Sequence, residues 1–378
     1  MSKKLSRRII NHMDVKKANR NQIYKLIHRS DGISKPEIAH QLKISLPTVM
    51  QNVKSLMEMG FIEEIGSQES TGGRKPVAIA AARDARYTLG VEITRNHIAV
   101  VVINMYGNIV CQTKKRLPFA DTGEYNRTIG EEVGGLLEES AIDRNRIIGA
   151  GVSIPGVLSP ENDRLITSHV LLVDNYHFSS LTAAVGFPAV YLNDANAAGY
   201  AEIWGGADRD FIYLALSNSV GGALVMDKKL RLGDNQRCAE LGHMTLERGG
   251  LRCYCGKKGC LDPYCCASVL SGATEGDLSE FFKRLKAGDG KLQTVWEDYL
   301  DYLATAINTL RMVFDYDVII GGYVGSYMDD YIPDLRAKFS VLSTFNEKGD
   351  FIRPCKQKNN ASAIGAALLV LDHYINDI

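Results

Sequence analysis

The sequence contains no apolar run approaching the roughly 18 to 20 residues that a bilayer-spanning helix needs. Its first residues, Met1 to Arg8, are basic and no apolar h-region follows them. Low-complexity tracts and short tandem repeats are missing too, which excludes collagen-like and repeat architectures. Net charge is also absent, because 44 Lys and Arg balance 44 Asp and Glu. These absences predict a soluble, non-secreted, cytoplasmic protein with no membrane partner. What is present is a chain of 378 residues, 45% of them hydrophobic, enough to bury the cores of two or three domains.

The neutral total conceals a division. Residues 1–86 hold 16 Lys and Arg against 8 Asp and Glu, leaving 28 against 36 for the remainder. A basic head on an acidic body suits a small nucleic-acid-binding module joined to a larger domain. The spacing within the head agrees. Ile23, Leu26 and Ile27 predict a short amphipathic helix over Asn21–Arg29, ended by Asp31-Gly32. Ser34-Lys-Pro-Glu37 is a capping box for a second helix that buries Ile38, Ala39 and Leu42. After a short turn Ser45 can cap a third, whose buried face is Val49, Val53, Leu56 and Met57 and whose end is Gly60. With a following strand, Phe61–Ile65, and the basic, Gly-rich segment Ser70–Pro76, the order is that of a winged helix-turn-helix. A three-helix protein-interaction module shares part of this pattern.

Beyond Tyr87 the pattern becomes that of an α/β body. Runs at Tyr87–Ile93, Ile98–Ile103 and Ile109–Thr113 predict a three-stranded meander, followed by helix 129–141, strand 147–153, helix 179–185 and strand 189–192. A second round starts at Phe211–Leu216 and Gly222–Met226, continues through a long helix near Leu292–Phe314 and a strand at Val318–Ile320, and closes with helix 363–374. The doubling predicts two related lobes across a cleft. The expected divisions are a DNA-binding domain over 1–80 and a body over 81–378, with lobe one near 87–195 plus 363–378 and lobe two near 196–362.

Eight cysteines without a signal peptide do not suggest a disulfide framework, and five of them lie between Cys253 and Cys266. His243, Cys253, Cys255 and Cys260 place four soft ligands in eighteen residues, the donor set of one closed, structural, tetrahedral zinc per chain. Cys265 and Cys266 fall outside the spacing and are expected to pack.

Three stretches carry a family resemblance: Asn193-Asp194-Ala195-Asn196-Ala197-Ala198, Glu240-Leu241-Gly242-His243, and Cys253-Tyr254-Cys255-Gly256-Lys257-Lys258-Gly259-Cys260-Leu261-Asp262. Together they resemble the ROK group of repressors, open reading frames and sugar kinases, and the winged helix in front is similar to its transcription-factor branch. The resemblance implies an actin-like, ribonuclease H-like two-lobed fold of sugar-kinase type, with a sugar or sugar phosphate in the cleft. On this reading Asn193, Asp194, Glu240, His243 and Asp262 contact the effector, and Asp194 matches the general base of family kinases. Asp262 stands where the family has glutamate, one methylene longer.

Two further departures concern ATP. Leu89-Gly90-Val91-Glu92-Ile93-Thr94-Arg95 puts side chains where family kinases have a glycine-rich hairpin around phosphate, and Leu216-Ser217-Asn218-Ser219-Val220-Gly221-Gly222 retains only the later glycines of a second phosphate loop. Gly321-Gly322 still resembles the adenine-side turn. Phosphoryl transfer depends on positioning and charge neutralisation of the phosphates, so the expectation is a sugar-responsive repressor and not an enzyme. Rival readings are a sugar kinase with an added DNA-binding domain and a body that docks another protein.

At the DNA end, the third helix would present Pro47, Thr48, Gln51, Asn52, Lys54 and Ser55, with Gln51 and Asn52 able to read adenine and Ser45 and Thr48 placed for phosphate or a thymine methyl. Arg74 and Lys75 on the wing suit a narrow minor groove, although an interdomain linker shares the composition. One winged helix is small for tight specific binding, which predicts a homodimer, or a dimer of dimers, on an inverted repeat of double-stranded DNA.

Overall fold

The computed structural model describes residues 12–67 and 77–378. Three helices open the described chain: α1 (His12–His28), α2 (Lys35–Leu42) and α3 (Leu46–Glu58). The capping box forms in both directions, with Ser34 N donating to Glu37 Oε2 at 2.8 Å and Glu37 N donating to Ser34 Oγ at 3.4 Å. The Ser34 hydroxyl, which donates to Glu37 Oε2 at 2.6 Å, and the Ser34 amide together hold the Glu37 carboxyl below its ordinary range. Strands β1 (Ile62–Ser67) and β2 (Val77–Ala81) pair antiparallel as the two arms of a wing, the second arm having gone unread in the sequence. Arg74 and Lys75 lie outside the described residues.

The first lobe begins with β3 (Tyr87–Ile93), β4 (His97–Asn104) and β5 (Ile109–Arg116), the expected meander, and continues through α4 (Gly123–Glu139) and β6 (Ile147–Ile154). A small sheet that the sequence reading missed follows as β7 (Val157–Leu158), β8 (Arg164–Ser168) and β9 (Val173–His177). Then come α5 (Ser179–Val185), β10 (Ala189–Asn193) and α6 (Asp194–Trp204). The main sheet has the order β10-β6-β3-β4-β5, parallel on one side of β3 and antiparallel on the other.

The second lobe repeats the plan. Its strands are β11 (Phe211–Leu216), β12 (Val220–Met226), β13 (Lys229–Leu230), β14 (Asp317–Gly321) and β15 (Ile352–Pro354), in the order β13-β12-β11-β14-β15, with the same change from antiparallel to parallel about β11. Helices α7 (Asp262–Cys265), α8 (Ala267–Ser271), α9 (Leu278–Lys286), α10 (Gly290–Phe314), α11 (Gly322–Gly325) and α12 (Ile332–Leu342) pack about it, and α13 (Ala361–Asp377) returns to the first lobe. Cys265 and Cys266 are buried in this lobe's core, as expected of packing residues.

Small residues bring the seam between the lobes together. In α13, Gly365 lies against the main chain of α6 so closely that a Cβ there would sit 2.6 Å from the Ala197 carbonyl carbon. Across α6, Gly199 faces Ala223 of β12 and Ala195 faces Gly221. Helix α6 is thus clamped between α13 and the second sheet.

The far end of α13 seats the winged helix. Ile23, Tyr24 and Ile27 of α1 share one hydrophobic cluster with Met105, Leu368, Leu371 and Ile375 of the body. Asn21 Nδ2 donates to the Ile375 carbonyl at 2.5 Å, Arg20 Nε donates to the Ile378 carbonyl at 2.7 Å, and Lys25 meets Asn376. His28 stacks on Tyr106 with ring centroids 4.7 Å apart and bonds the Met105 carbonyl through Nε2 at 2.7 Å. Burial holds this imidazole below its ordinary pKa.

Candidate functional site

A cavity of about 590 Å3 opens between the lobes. Asp194, the first residue of α6, lines it. The preceding Asn193 is the helix N-cap, its Oδ1 accepting from the amides of Ala195 and Asn196 and its Nδ2 donating to the Gly156 carbonyl at 3.2 Å. Its side chain is therefore engaged in fixing where Asp194 points. Glu92 and Lys114 enter the same cavity from β3 and β5, and burial with the charge of Asp194 pushes the Glu92 carboxyl up against the opposing pull of Lys114. Burial raises Asp194 also. Glu240 is not among the cavity-lining residues, but it stands near Asp194, and desolvation together with that charge raises its carboxyl.

Asp262 is placed differently from Asp194. It is buried, its Oδ1 accepts from the Val220 amide at 2.7 Å, and it does not line the cavity. The shorter aspartate thereby anchors the turn that leads into β12. Burial pushes its carboxyl up to about 6.

Sequence reasoning missed His169, Tyr254 and Tyr323 as cavity residues. They come from segments far apart in the chain, so no local spacing announces them. Tyr254 was visible only as a motif member. Its ring packs beside His169 with centroids 5.8 Å apart, and its hydroxyl is 3.3 Å from His243 Nε2.

Behind Tyr254 stands the thiol cluster. The ligand atoms of His243, Cys253, Cys255 and Cys260 lie within 4.8 Å of one another, close enough to hold a metal ion. His243 presents Nδ1 to Cys253 Sγ at 3.7 Å, which leaves Nε2 for the Tyr254 hydroxyl, and Cys255 and Cys260 are 3.8 Å apart at sulfur. Gly259 makes the tight loop possible: its φ is +79° and a Cβ would meet the Glu247 carbonyl carbon at 2.8 Å. Burial pushes the Cys253 thiol up to about 12, a cost that a divalent cation removes by favouring the thiolate. The donor set fits such an ion.

Glu92 puts a carboxylate into the cavity from β3, and Ser217, Asn218 and Ser219, which also line it, form the turn between β11 and β12. At Gly321 there is room only for hydrogen because the Tyr213 ring lies against it, and the Tyr213 hydroxyl accepts from Gly322 N at 3.4 Å. That glycine pair therefore serves packing in this chain.

In the winged helix, Ser45 caps α3, with its Oγ 2.8 Å from Thr48 Oγ1, while Pro47, Gln51 and Lys54 are exposed and Thr48 and Ser55 are half-buried. Asn52 is a correction. It is only 2% exposed, and its Nδ2 donates back to the Thr48 carbonyl at 2.8 Å, so it belongs to the inner face and does not project to read bases. Leu46 and Met50, not anticipated, are on the outward face instead.

Residues 88–373 match the model of the ROK family. The chain belongs to the ROK family. Residues 17–63 match a winged helix-turn-helix DNA-binding model. The chain is 24% identical over 376 residues to the xylose repressor of Bacillus subtilis (strain 168), covering 96% of this chain and 97% of that protein. Its fold is similar to a crystal structure of a ROK family transcriptional regulator described as a homolog of the E. coli MLC protein, with a TM-score of 0.76, 20% identity, and coverage of 96% and 97% of the two chains. It is also similar to a ROK family glucokinase from Streptomyces griseus in complex with glucose and AMPPNP, with a TM-score of 0.63, 23% identity, and coverage of 75% and 98%. The regulator matches nearly the full length of this chain, the glucokinase three quarters of it. Among the described residues no helix is long and apolar enough to cross a membrane.

Proposed function

We propose that this ROK family chain is a DNA-binding transcriptional repressor that responds to a sugar and does not phosphorylate it. The observation that carries the reading is the winged helix packed through a shared core onto a body whose cavity holds Glu92, at a position that resembles the glycine-rich phosphate hairpin of family kinases. A carboxylate there opposes the phosphates that a kinase must bind and neutralise. Asp194, and Glu240 near it, offer acceptors for sugar hydroxyls, and His243 acts through Tyr254. Asn193 and Asp262 act by positioning, the first by capping α6 and the second by anchoring the β11–β12 turn.

The finer parts of the proposal are a zinc ion held by His243, Cys253, Cys255 and Cys260 in a structural role, and a homodimer that reads an inverted repeat. Gln51 and Lys54 would face DNA from α3, and Arg74 and Lys75 from the wing. Zinc would tie the 253–260 loop to His243 and so fix the Tyr254 ring at the cavity wall. The test is selection of DNA sites from a random pool by the purified protein, followed by release with pentoses and hexoses in the presence and absence of ATP and Mg2+. Release by sugar alone supports the proposal. ATP-dependent turnover of a sugar on the order of 1 to 1000 per second would reassign the chain to the kinases.

A further inference from the structure

The cavity extends well beyond Asp194. Besides the carboxylates, its lining includes the Tyr323 ring and, as an outer half, the β11–β12 turn and the segment before α13. Its volume, about 590 Å3, lies within the range of roughly 300 to 1,000 Å3 for sites that enclose drug-sized ligands, larger than one sugar ring. This outer half includes the Ser217–Ser219 loop, which resembles a kinase phosphate loop that keeps only its later glycines. Here its chemistry is neutral and polar.

Ser219, Asn218 and Asn359 contribute hydroxyl and amide groups to the wall, and their side chains make no hydrogen bond among the described residues. Each amide can donate and accept, which is the requirement for recognising a hydroxyl group. The cation on the same wall, Lys358, is engaged: its Nζ is 2.9 Å from Asp329 Oδ1 and 3.4 Å from the Gly325 carbonyl. At the boundary between the two halves, Tyr323 is 39% exposed, leaving an aromatic face beside Glu92 and Asp194. An aromatic face bordered by amides and hydroxyls presents an apolar platform with polar edges, the counterpart of a pyranose ring with its C–H face and hydroxyl rim.

We infer that the outer half of the cleft is a second carbohydrate subsite, and that the effector is a neutral disaccharide or longer glycoside whose second ring rests on Tyr323 and faces Asn218, Ser219 and Asn359. The inference rests on the proposed sugar site at Asp194 and extends it. A phosphorylated sugar is the competing occupant, because Arg95 and Lys114 enter the cavity from the first lobe. Lys114 faces the Glu92 carboxylate and Lys358 is paired with Asp329, which leaves Arg95 as the cation that a phosphorylated ligand would have to use.

The test is calorimetric titration of the full-length protein with matched probes: xylose and xylobiose, glucose with cellobiose and maltose, N-acetylglucosamine and N,N′-diacetylchitobiose, glucose 6-phosphate, and AMP-PNP. One disaccharide is expected to bind at least tenfold more tightly than its own monosaccharide. Ser219→Leu should erase that advantage by filling the subsite while leaving monosaccharide affinity within about twofold, and Tyr323→Ala, which removes the platform, should weaken the disaccharide several-fold more than the monosaccharide. Equal affinity for both members of every pair, or an equal loss for both in the two variants, overturns the second subsite while leaving the sugar site at Asp194 standing. Preference for glucose 6-phosphate or AMP-PNP overturns the neutral-ligand assignment. Failure of every sugar to bind overturns this inference and the proposed effector site together.

Discussion

Gly365→Ala and Gly134→Ala make one chemical change in two helices, and their surroundings give it opposite signs. In the interior of α4, Gly134 has nothing within 4 Å of an added Cβ. Alanine is favoured over glycine in a helix by about 0.8 to 1 kcal/mol, so Gly134→Ala should stabilise the protein by up to that amount. Gly365 in α13 has the same intrinsic preference but no space. Its Cβ would stand 2.6 Å from the Ala197 carbonyl carbon and 3.1 Å from Ala201 N, where ordinary contact starts at 3.4 Å. These neighbours are main chain, which cannot rotate away, and the Ala197 carbonyl oxygen is nearer still, so α6 and α13 must separate by about 1.5 Å. Overpacking of this kind costs roughly 1 to 3 kcal/mol, and a backbone clash belongs at or above the upper end. After the helix-propensity gain the net loss is about 2 kcal/mol. Because Asp194 starts α6, the same displacement should weaken effector binding, whereas Gly134→Ala should leave it unchanged. Urea unfolding gives the stabilities and calorimetry the affinities. If Gly365→Ala proved as stable as the parent, or if the two variants behaved alike, the close approach of α6 and α13 would be refuted.

Chelation or Cys253→Ser should release about one equivalent of zinc and weaken sugar binding through the loss of Tyr254 positioning, as measured by elemental analysis and titration; metal below about half an equivalent in unoxidised parent protein would contradict the zinc assignment. Gln51→Ala should cost roughly 1 to 3 kcal/mol at one operator position, seen in binding to a panel of single-base operator variants. Asn52→Ala should leave base preference unchanged and alter stability by less than about 1 kcal/mol, because the lost bond to Thr48 is offset by removal of a buried amide oxygen that has no partner. His28 has a folded pKa below its ordinary value, so the unfolded chain binds the extra proton; stability should rise with pH up to about 6.5 and fall as acid is added below it. That slope should flatten in His28→Phe when melting temperature is followed from pH 5 to 8.

The legible parts of this molecule were those written locally. The Ser34–Glu37 box, the apolar stripe of α3 and the four metal donors all fall within short windows, so spacing alone revealed them. Helix α6 escaped because it has no polar face to set a 3.6-residue rhythm: Ala195, Ala197, Ala198, Gly199 and Ala201 are buried between α13 and the second sheet. The small sheet of β7, β8 and β9 escaped because its strands are two to five residues long. Asn52 was misread although a signal existed, since it lies three residues after Val49 and four before Leu56, on the apolar face. In the cleft, Glu92, Lys114, His169 and Tyr323 come from separate elements, and only tertiary folding joins them.

Helix α13 has seventeen residues and a length of about 25 Å at 1.5 Å per residue. Ser362 at its beginning borders the cavity, and the carbonyls of Ile375 and Ile378 at its end hold α1. It has the dimensions of a lever with its short, crowded fulcrum at Gly365 and its load at the winged helix. A tilt of about 5° at the cleft end carries the other end through about 2 Å. Hydrogen bonds to bases tolerate only about 0.5 Å of variation in length, and half-sites recur every 34 to 36 Å along the duplex. A rotation too small to open the cleft visibly is thus large enough to put a recognition helix out of register with its groove.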